Sequence, residues 1–294
     1  MSTVMSAYVS RVSSEPSPVR RLEPVVWGDR VPGPMTTEEL ASYESDGFLL
    51  LEEALDDREV RSLDDELEAV AAAMGSRDER VIREPGSDTV RSVFQIHELS
   101  GRVAELASDP RLLGRVRQIL GSEAYIHQSR VNFKPGLRGK EFYWHSDFET
   151  WHFEDGMPEM RAVSVSINLT ENRADNGSLM VMPGSHRTFV GCVGETPQEH
   201  YRESLRSQHY GVPSDRALEQ LASAHGITQV VAPPGSALLF DSNCMHGSNG
   251  NITPYPRRNL FLVFNSVENT LVAPFGGTEP RPGHIASRDP VPLG

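Results

Sequence analysis

Two separate stretches of the chain carry side chains that could together hold a metal ion. His145 and Asp147 form an HxD pair, and His246 lies far downstream, just past the apolar run of residues 237–240. In an extended strand, residues i and i+2 share a face roughly 6.7 Å apart at Cα, so the pair could converge on one ion that a second strand end completes. Two imidazoles and one carboxylate suit ferrous iron and leave one octahedral face open, whereas structural zinc normally takes a fourth protein ligand.

A second pair with the same spacing, His152 and Glu154, competes for this role. A histidine near a carboxylate is more often an ordinary hydrogen-bonded pair than a metal site, so the spacing alone does not choose between the pairs. The downstream order favours the first pair, because His246 is followed by Arg257 on the approach to a predicted strand. We therefore predict that the HxD pair and His246 are the metal ligands.

Several further segments extend the pattern around these residues. They are the QxRxNxK stripe at 128–134, the block 142–161 that contains WHSDFETWHFEDGMP, and the segments 164–170, 176–180, 183–186 and 240–249. With these segments the chain resembles the ectoine hydroxylases, within the phytanoyl-CoA dioxygenase superfamily of iron(II)- and 2-oxoglutarate-dependent oxygenases. The resemblance covers roughly residues 35 to 270, and the long block at 142–161 is the part specific to the ectoine branch.

The resemblance implies a role for each group of site residues. The catalytic iron ligands would be His145, Asp147 and His246. The 2-oxoglutarate pocket would contain Arg257, Phe142, Asn132, Ser164, Asn259 and Phe261. The substrate pocket would contain Gln128, Arg130, Thr150, Trp151, Phe240 and Ser248. Arg257 also fits by its chemistry, since a planar guanidinium fork matches the distal carboxylate of 2-oxoglutarate.

The implied reaction uses Fe(II), 2-oxoglutarate and O2 to hydroxylate ectoine to 5-hydroxyectoine, a compatible solute, with succinate and CO2 as co-products. The alternative is a hydroxylase of L-proline or another small cyclic amino acid, which would show the same metal and co-substrate residues. Two other classes stay open. A zinc hydrolase would leave Arg257 without a role, and a non-catalytic solute-binding protein would bind its ligand without metal.

Composition limits the partners of the protein. The net charge of −13, from 41 acidic against 28 basic residues, argues against nucleic acid as a partner. No stretch approaches the roughly 20 apolar residues of a membrane span, and the first residues lack the apolar region of a signal peptide. We therefore expect no membrane partner and a cytoplasmic location. The two cysteines, Cys192 and Cys244, form no disulfide framework. For the assembly of the protein, a homodimer is a hypothesis.

Helices are predicted mainly in the amino-terminal third, where they would pack along a sheet. Thr36 and Glu39 form a capping box that begins one helix, and Gly47 ends it. Valine and leucine at positions 60, 63, 67 and 70 predict a second helix with one buried stripe. The Ser-Asp-Pro sequence at 108–110 opens a third helix that ends at Gly121.

From residue 124 onward the hydrophobic period changes to two, which is typical of strands. One face of residues 125–134 carries Gln128, Arg130, Asn132 and Lys134. By its pattern alone this stripe suits a solvated surface, but by the resemblance it faces the mouth of a barrel. Further strands are predicted at 162–170, 179–182, 229–232, 236–240 and 259–266, with Pro-Gly and Asn-Gly turns between elements.

The predicted fold class is mainly β with flanking helices, around a double-stranded β-helix (jelly roll, cupin-like) core. One domain is expected over residues 35–276, with helices first and the jelly roll after them. It contains a polar insertion at 187–226 that is either a lid or an ordinary surface excursion. Residues 1–34 are predicted as a flexible arm and residues 277–294 as a proline-rich tail.

Overall fold

The computed structural model describes residues 7–28, 31–75, 77–84, 86–199, 201–205 and 210–294. Its helices are α1 (Thr37–Asp46), α2 (Asp57–Ala73), α3 (Ile96–Leu99), α4 (Gly101–Ala107), α5 (Pro110–Leu120), α6 (Asp147–Thr150), α7 (Tyr201–Ser204) and α8 (Asp215–His225). A π-helical turn, Trp151–Asp155, follows α6 directly, and a 3-10 turn spans Ser185–Arg187. Within the described part of the chain, no helix is long and apolar enough to cross a membrane.

Four short strands lie among the helices of the amino-terminal third, and the longer strands lie in the remaining chain. They are β1 (Val19–Arg20), β2 (Phe48–Leu51), β3 (Val81–Arg83), β4 (Val90–Phe94), β5 (Ala124–Lys134), β6 (Phe142–His145), β7 (Ala162–Asn168), β8 (Leu179–Val181), β9 (Thr188–Phe189), β10 (Thr228–Gln229), β11 (Ala237–Asp241), β12 (His246–Ser248) and β13 (Arg257–Ser266). The predicted strands over 125–134, 162–170 and 259–266 are confirmed with small shifts at their ends.

Two antiparallel sheets make up the jelly-roll core, which confirms the predicted fold class. The larger sheet has seven strands in the order β2-β11-β7-β13-β5-β4-β3, and the smaller has four in the order β10-β8-β12-β6. A separate two-stranded pair joins β1 to β9. Except for β3 and β4, neighbouring strands are far apart in sequence, so side chains from distant segments meet on the same face.

The helices cover the outer face of the larger sheet. The apolar stripes of α2 and α5 pack with Val131, Val165 and Leu262, the residues of the three central strands that point away from the site. Burial of each such side chain stabilises the fold by about 1.5–3 kcal/mol. The predicted helix ends are also confirmed: Thr36 and Glu39 form the capping box of α1, and Gly47 ends α1 with a left-handed φ of 80°.

The opposite face of the larger sheet is polar and points inward. On β5 it carries the stripe of four polar residues predicted from the sequence, and their partners on β13 extend it. Arg130 lies opposite Phe261, Asn132 opposite Asn259, and Lys134 opposite Arg257. Because side chains alternate along a strand, this register brings both sets to one surface.

Both chain ends differ from their predictions over the residues that are described. Residues 7–28 were predicted as part of a flexible arm, but Tyr8 is buried in a cluster with Phe148 and Trp151. Residues 277–294 were predicted as a tail, but Ile285 and Ala286 are buried, and the backbone of this segment runs beside β5. Hydrophobic and backbone contacts, which weak local periodicity did not reveal, hold both segments to the domain. Residues 1–6 and 29–30 of the predicted arm lie outside the described residues.

The insertion at 187–226 contains α8 and the short α7. α8 packs through Leu218 and Leu221 on an apolar cluster that includes Met182 and Met245. Residues 200 and 206–209 of the insertion lie outside the described residues. The remaining domain limits stay predictions.

Candidate active site

Three predicted metal ligands converge where the smaller sheet ends. His145 is the last residue of β6 and lies directly opposite His246 of β12, while Asp147 begins α6 one residue beyond the strand. The candidate ligand atoms of these residues all lie within 4.8 Å of one another. The Nε2 atoms of His145 and His246 lie 3.6 and 3.9 Å from Asp147 Oδ1. His145 and Asp147 therefore lie on the two sides of a strand-to-helix junction, whereas the sequence analysis placed both residues in one strand.

Hydrogen bonds orient both imidazoles for metal binding. His145 Nδ1 donates to the Tyr143 carbonyl at 2.7 Å, and His246 Nδ1 donates to the Cys244 carbonyl at 2.9 Å. A carbonyl can only accept, so each Nε2 keeps its lone pair on the side of Asp147. Burial and the nearby His145 lower the pKa of His246 to about 4, which keeps this imidazole neutral at physiological pH.

Asp147 is the anionic member of the set. Burial alone would raise its pKa, but His246, His145 and Arg130 lower it well below its ordinary value. Ser164, predicted for the co-substrate pocket, donates from Oγ to Asp147 Oδ2 at 3.2 Å and so orients the carboxylate. Two imidazoles and a carboxylate are a fitting donor set for Fe(II).

The competing pair does not join this cluster. His152 stacks on Phe275 with ring centroids 3.9 Å apart, and its Nδ1 hydrogen-bonds to the Met157 carbonyl at 2.6 Å. Glu154 forms an ion pair with Arg11 at 2.7 Å. The π-helical turn, which places successive side chains on different sides, separates the two residues.

A buried cationic group lies on the inner sheet face beside the ligands. Arg257 is 2% exposed, and within the described part of the chain its Nε and Nη1 atoms have no hydrogen-bond partner. Lys134 lies directly opposite it on β5 and donates from Nζ to Ser248 Oγ at 2.8 Å. Burial and the charges of Arg257 and Arg91 lower the pKa of Lys134 to about 5. A buried guanidinium beside a buried amino group fits a carboxylate ligand, because an anion would replace the hydration that the guanidinium has lost and would favour protonation of the amine.

The other residues predicted for the 2-oxoglutarate pocket surround this group. Phe142 lines the cavity and lies under the Arg91 guanidinium, whose Cζ is 3.8 Å from the ring centroid. Asn132 Oδ1 accepts from Ser92 Oγ at 2.7 Å. Asn259 donates to Ser166 and Asn168 at 3.0 Å and keeps a buried, unpartnered Oδ1. Phe261 lies 5.2 Å from Arg130 Cζ.

An open cavity beside the metal ligands contains four of the six residues predicted for substrate binding. They are Gln128, Arg130, Thr150 and Trp151. Phe240 does not line this cavity, because its ring packs against His246 with centroids 4.9 Å apart. Ser248 is also outside the lining, because it points from β12 to Lys134. The structure therefore places Ser248 with the cationic group and Phe240 behind a metal ligand.

The cavity also contains residues that the sequence analysis missed. The insertion contributes Tyr201, Leu205 and Tyr210, and the carboxy-terminal segment contributes Arg281. Arg281 forms a two-point ion pair with Asp155, at 2.8 Å from Nε and 2.5 Å from Nη2. No local pattern marks these residues. Lys134 could have been assigned to the site from the sequence, because the period-two stripe placed it on the same strand face as Arg130.

The similarity to known proteins extends over nearly the whole chain. The family model described as phytanoyl-CoA dioxygenase (PhyH) matches residues 43–259. An ectoine dioxygenase of Nocardia farcinica is 58% identical over 283 residues, which cover 96% of this chain and 93% of that protein. A crystal structure of EctD from S. alaskensis with 2-oxoglutarate and 5-hydroxyectoine is 44% identical, with a TM-score of 0.88 over 98% of this chain and 97% of that one. A structure of the same protein with bound Fe has a TM-score of 0.86 at the same identity and coverage.

Proposed function

Because this chain belongs to the phytanoyl-CoA dioxygenase family, we propose that it hydroxylates ectoine to 5-hydroxyectoine with Fe(II), 2-oxoglutarate and O2, releasing succinate and CO2. The proposal is carried by the combination of the His145, Asp147 and His246 triad with the buried guanidinium of Arg257, of which Nε and Nη1 have no hydrogen-bond partner among the described residues. A hydrolytic zinc site would have no use for such a guanidinium, whereas a five-carbon dicarboxylate requires it.

The triad would hold Fe(II), and its open face would take the keto-acid end of 2-oxoglutarate. The bound iron and co-substrate would supply the oxidising power for oxidative decarboxylation of 2-oxoglutarate by O2, in which one oxygen atom would enter succinate and the other the hydroxylated product, with release of CO2. Ser164 would keep the Asp147 carboxylate in its ligand orientation. Arg257 and Lys134 would bind the distal carboxylate, and Ser248 supports this role because it already orients the Lys134 amino group, which the bound carboxylate would favour in its ammonium form.

The cavity chemistry supports a small zwitterion as substrate. Ectoine combines an amidinium-like ring with a carboxylate, so its pocket needs an aromatic face and a cationic anchor. Trp151 offers the aromatic face, and Arg281 offers a guanidinium whose position Asp155 fixes. Gln128 donates its amide to the Ile285 carbonyl at 2.8 Å, which leaves its side-chain oxygen as an acceptor suited to a ring N–H. Thr150 adds a further polar contact.

The residues from the insertion would shield the reacting atoms from water. Tyr201, Leu205 and Tyr210 line the cavity together with the substrate residues. Exclusion of water strengthens the ion pairs that position a charged substrate and limits side reactions.

The proposal is tested by supplying anaerobic, iron-loaded protein with 2-oxoglutarate and ectoine, then admitting O2. Succinate should form together with a product heavier than ectoine by one oxygen atom. Competition with L-proline in the same tube, read by mass spectrometry, addresses the alternative substrate, and hydroxyproline as the dominant product would overturn the choice of ectoine. Turnover without O2 would favour a hydrolase, and ectoine binding with no succinate would favour a solute-binding protein.

The compartment and the assembly remain proposals as well. A cytoplasmic location fits a biosynthetic reaction that consumes 2-oxoglutarate, and cell fractionation would test it. The homodimer is a hypothesis that light scattering on the purified protein would decide.

A further inference from the structure

Arg11, in the amino-terminal segment, reaches the wall of the substrate cavity. Its side chain is 6% exposed and makes a two-point ion pair with Glu149, at 2.9 Å from Nε and 2.8 Å from Nη2. Its Nη1 lies 2.7 Å from Glu154 Oε1. Burial by itself would lower the pKa of this guanidinium, but Glu149 and Glu154 raise it above its ordinary value. One arginine therefore compensates two buried carboxylates.

The second carboxylate connects Arg11 to the substrate anchor. Glu154 lines the cavity, and its Oε2 lies 3.5 Å from Arg281 Nε. Arg281 is held mainly by Asp155, so this wall contains two arginines against three carboxylates. Without Arg11, Glu149 and Glu154 would both lose the arginine that pairs with them, and Glu154 lies beside Arg281. Glu154 would then compete with Asp155 and with a substrate carboxylate for the same guanidinium.

Arg11 also contacts two points of the insertion that flank its cavity-lining residues. Its Nη1 donates to Thr196 Oγ1 at 2.6 Å. At the other point, a Cβ on Gly211 would lie 3.0 Å from Arg11 Nη2 and 2.9 Å from a Glu149 carboxylate oxygen. Gly211 has a left-handed φ of 68° and follows Tyr210, a residue of the cavity lining. The backbone of the insertion at Gly211 thus lies against the ion pair of Arg11 and Glu149.

We propose that Arg11 is a positioning residue for the substrate half of the active site. It neutralises Glu149 and Glu154, so that Arg281 stays oriented by Asp155 and free to bind the substrate carboxylate. It does not touch the cationic group of Arg257 and Lys134, so the 2-oxoglutarate half should not depend on it. The inference rests on the proposed function, because ectoine is the ligand whose binding is measured.

The test compares two affinities in the same holoenzyme. Iron-loaded full-length protein under argon is titrated calorimetrically with ectoine and, separately, with 2-oxoglutarate. Arg11→Met should weaken ectoine binding by at least about tenfold and change 2-oxoglutarate binding by less than about twofold. Arg11→Lys keeps the charge but cannot contact Glu149, Glu154 and Thr196 together, so its loss of ectoine affinity should be intermediate. If Arg11→Met does not fold, Arg11→Gln, which also removes the charge but keeps a hydrogen-bond donor, takes its place, and wild-type affinity for ectoine in Arg11→Gln would overturn the proposal.

A compensating variant separates charge neutralisation from simple bracing. Glu154→Gln removes the charge that competes for Arg281, so Arg11→Met combined with Glu154→Gln should recover part of the lost ectoine affinity. If the double variant binds ectoine no better than Arg11→Met, the charge argument is wrong.

Arg21 provides the matched control in the same segment. Its side chain is 3% exposed and pairs with Asp241 at 2.7 Å, outside the cavity lining. Arg21→Met should lower thermal stability while leaving the ratio of the two affinities near that of the wild type. An equal shift of this ratio in Arg21→Met and Arg11→Met would show a general destabilisation of the protein and would overturn the proposal. Wild-type protein that neither binds nor hydroxylates ectoine would instead refute the proposed function itself.

Discussion

Lys134 provides a quantitative test of the proposed co-substrate pocket. Its pKa of about 5 means that only about 0.3% of the ligand-free protein carries a charged Lys134 at pH 7.5. A carboxylate between Lys134 and Arg257 would favour the ammonium form and raise this pKa. We therefore predict that 2-oxoglutarate binding at pH 7.5 takes up close to one proton from the buffer. Lys134→Met should abolish this uptake.

The assay is calorimetric titration of anaerobic, iron-loaded protein with 2-oxoglutarate in phosphate and in Tris buffer. These buffers differ in ionisation enthalpy, so the difference in observed heat gives the number of protons taken up. Lys140, the other lysine of the chain, is exposed, and Lys140→Met should keep the wild-type proton number. A wild-type proton number near zero, or equal numbers in the wild type and Lys134→Met, would refute the reasoning.

The same group should affect stability in a defined pH window. Its pKa is lower in the folded than in the unfolded protein, so unfolding takes up a proton between pH about 5 and the ordinary value of 10.5. The contribution of Lys134 to the free energy of unfolding therefore rises with pH across this window, by up to about 1.4 kcal/mol per pH unit. Thermal unfolding of the ligand-free wild type and of Lys134→Met over pH 6 to 9 should show that the free energy of unfolding rises more steeply with pH in the wild type. Saturating 2-oxoglutarate should reduce this difference.

Three further predictions concern the metal, the co-substrate and the substrate. The proposed metal ligands are His145, Asp147 and His246, and alanine at any one of these positions should abolish iron retention measured by metal analysis. His152→Ala should keep its iron, and this result would exclude the competing pair. Arg257→Lys retains the charge but loses the planar fork, so the KM for 2-oxoglutarate should rise about tenfold or more while ectoine binding changes less; an unchanged 2-oxoglutarate dependence would contradict the assignment. Trp151→Ala should reduce ectoine turnover more than 2-oxoglutarate binding, and equal losses in both would argue against an aromatic wall for the substrate.

Local sequence patterns predicted much of the scaffold, and residue types together with their order along the chain indicated the candidate metal ligands. The capping box at Thr36 and the stripe of β5 each depend on contacts within one element, so periods of 3.6 and 2 residues reveal them directly. The ligand set was also readable, because metal chemistry restricts the residue types at 145, 147 and 246. Even there, the sequence could not show that the strand ends at His145 and that Asp147 begins a helix.

The tertiary structure alone decided which side chains meet across the cavity. The register of β12 against its neighbours directs Ser248 to Lys134, and the packing of β11 places Phe240 behind His246. Arg11 and Arg281 come from opposite ends of the chain and have no periodic context, so their residue types alone do not distinguish them from surface arginines. Their partners, Glu149 and Asp155, become visible only when the chain ends pack on the domain, because a buried ion pair is a property of the folded surroundings and not of either residue.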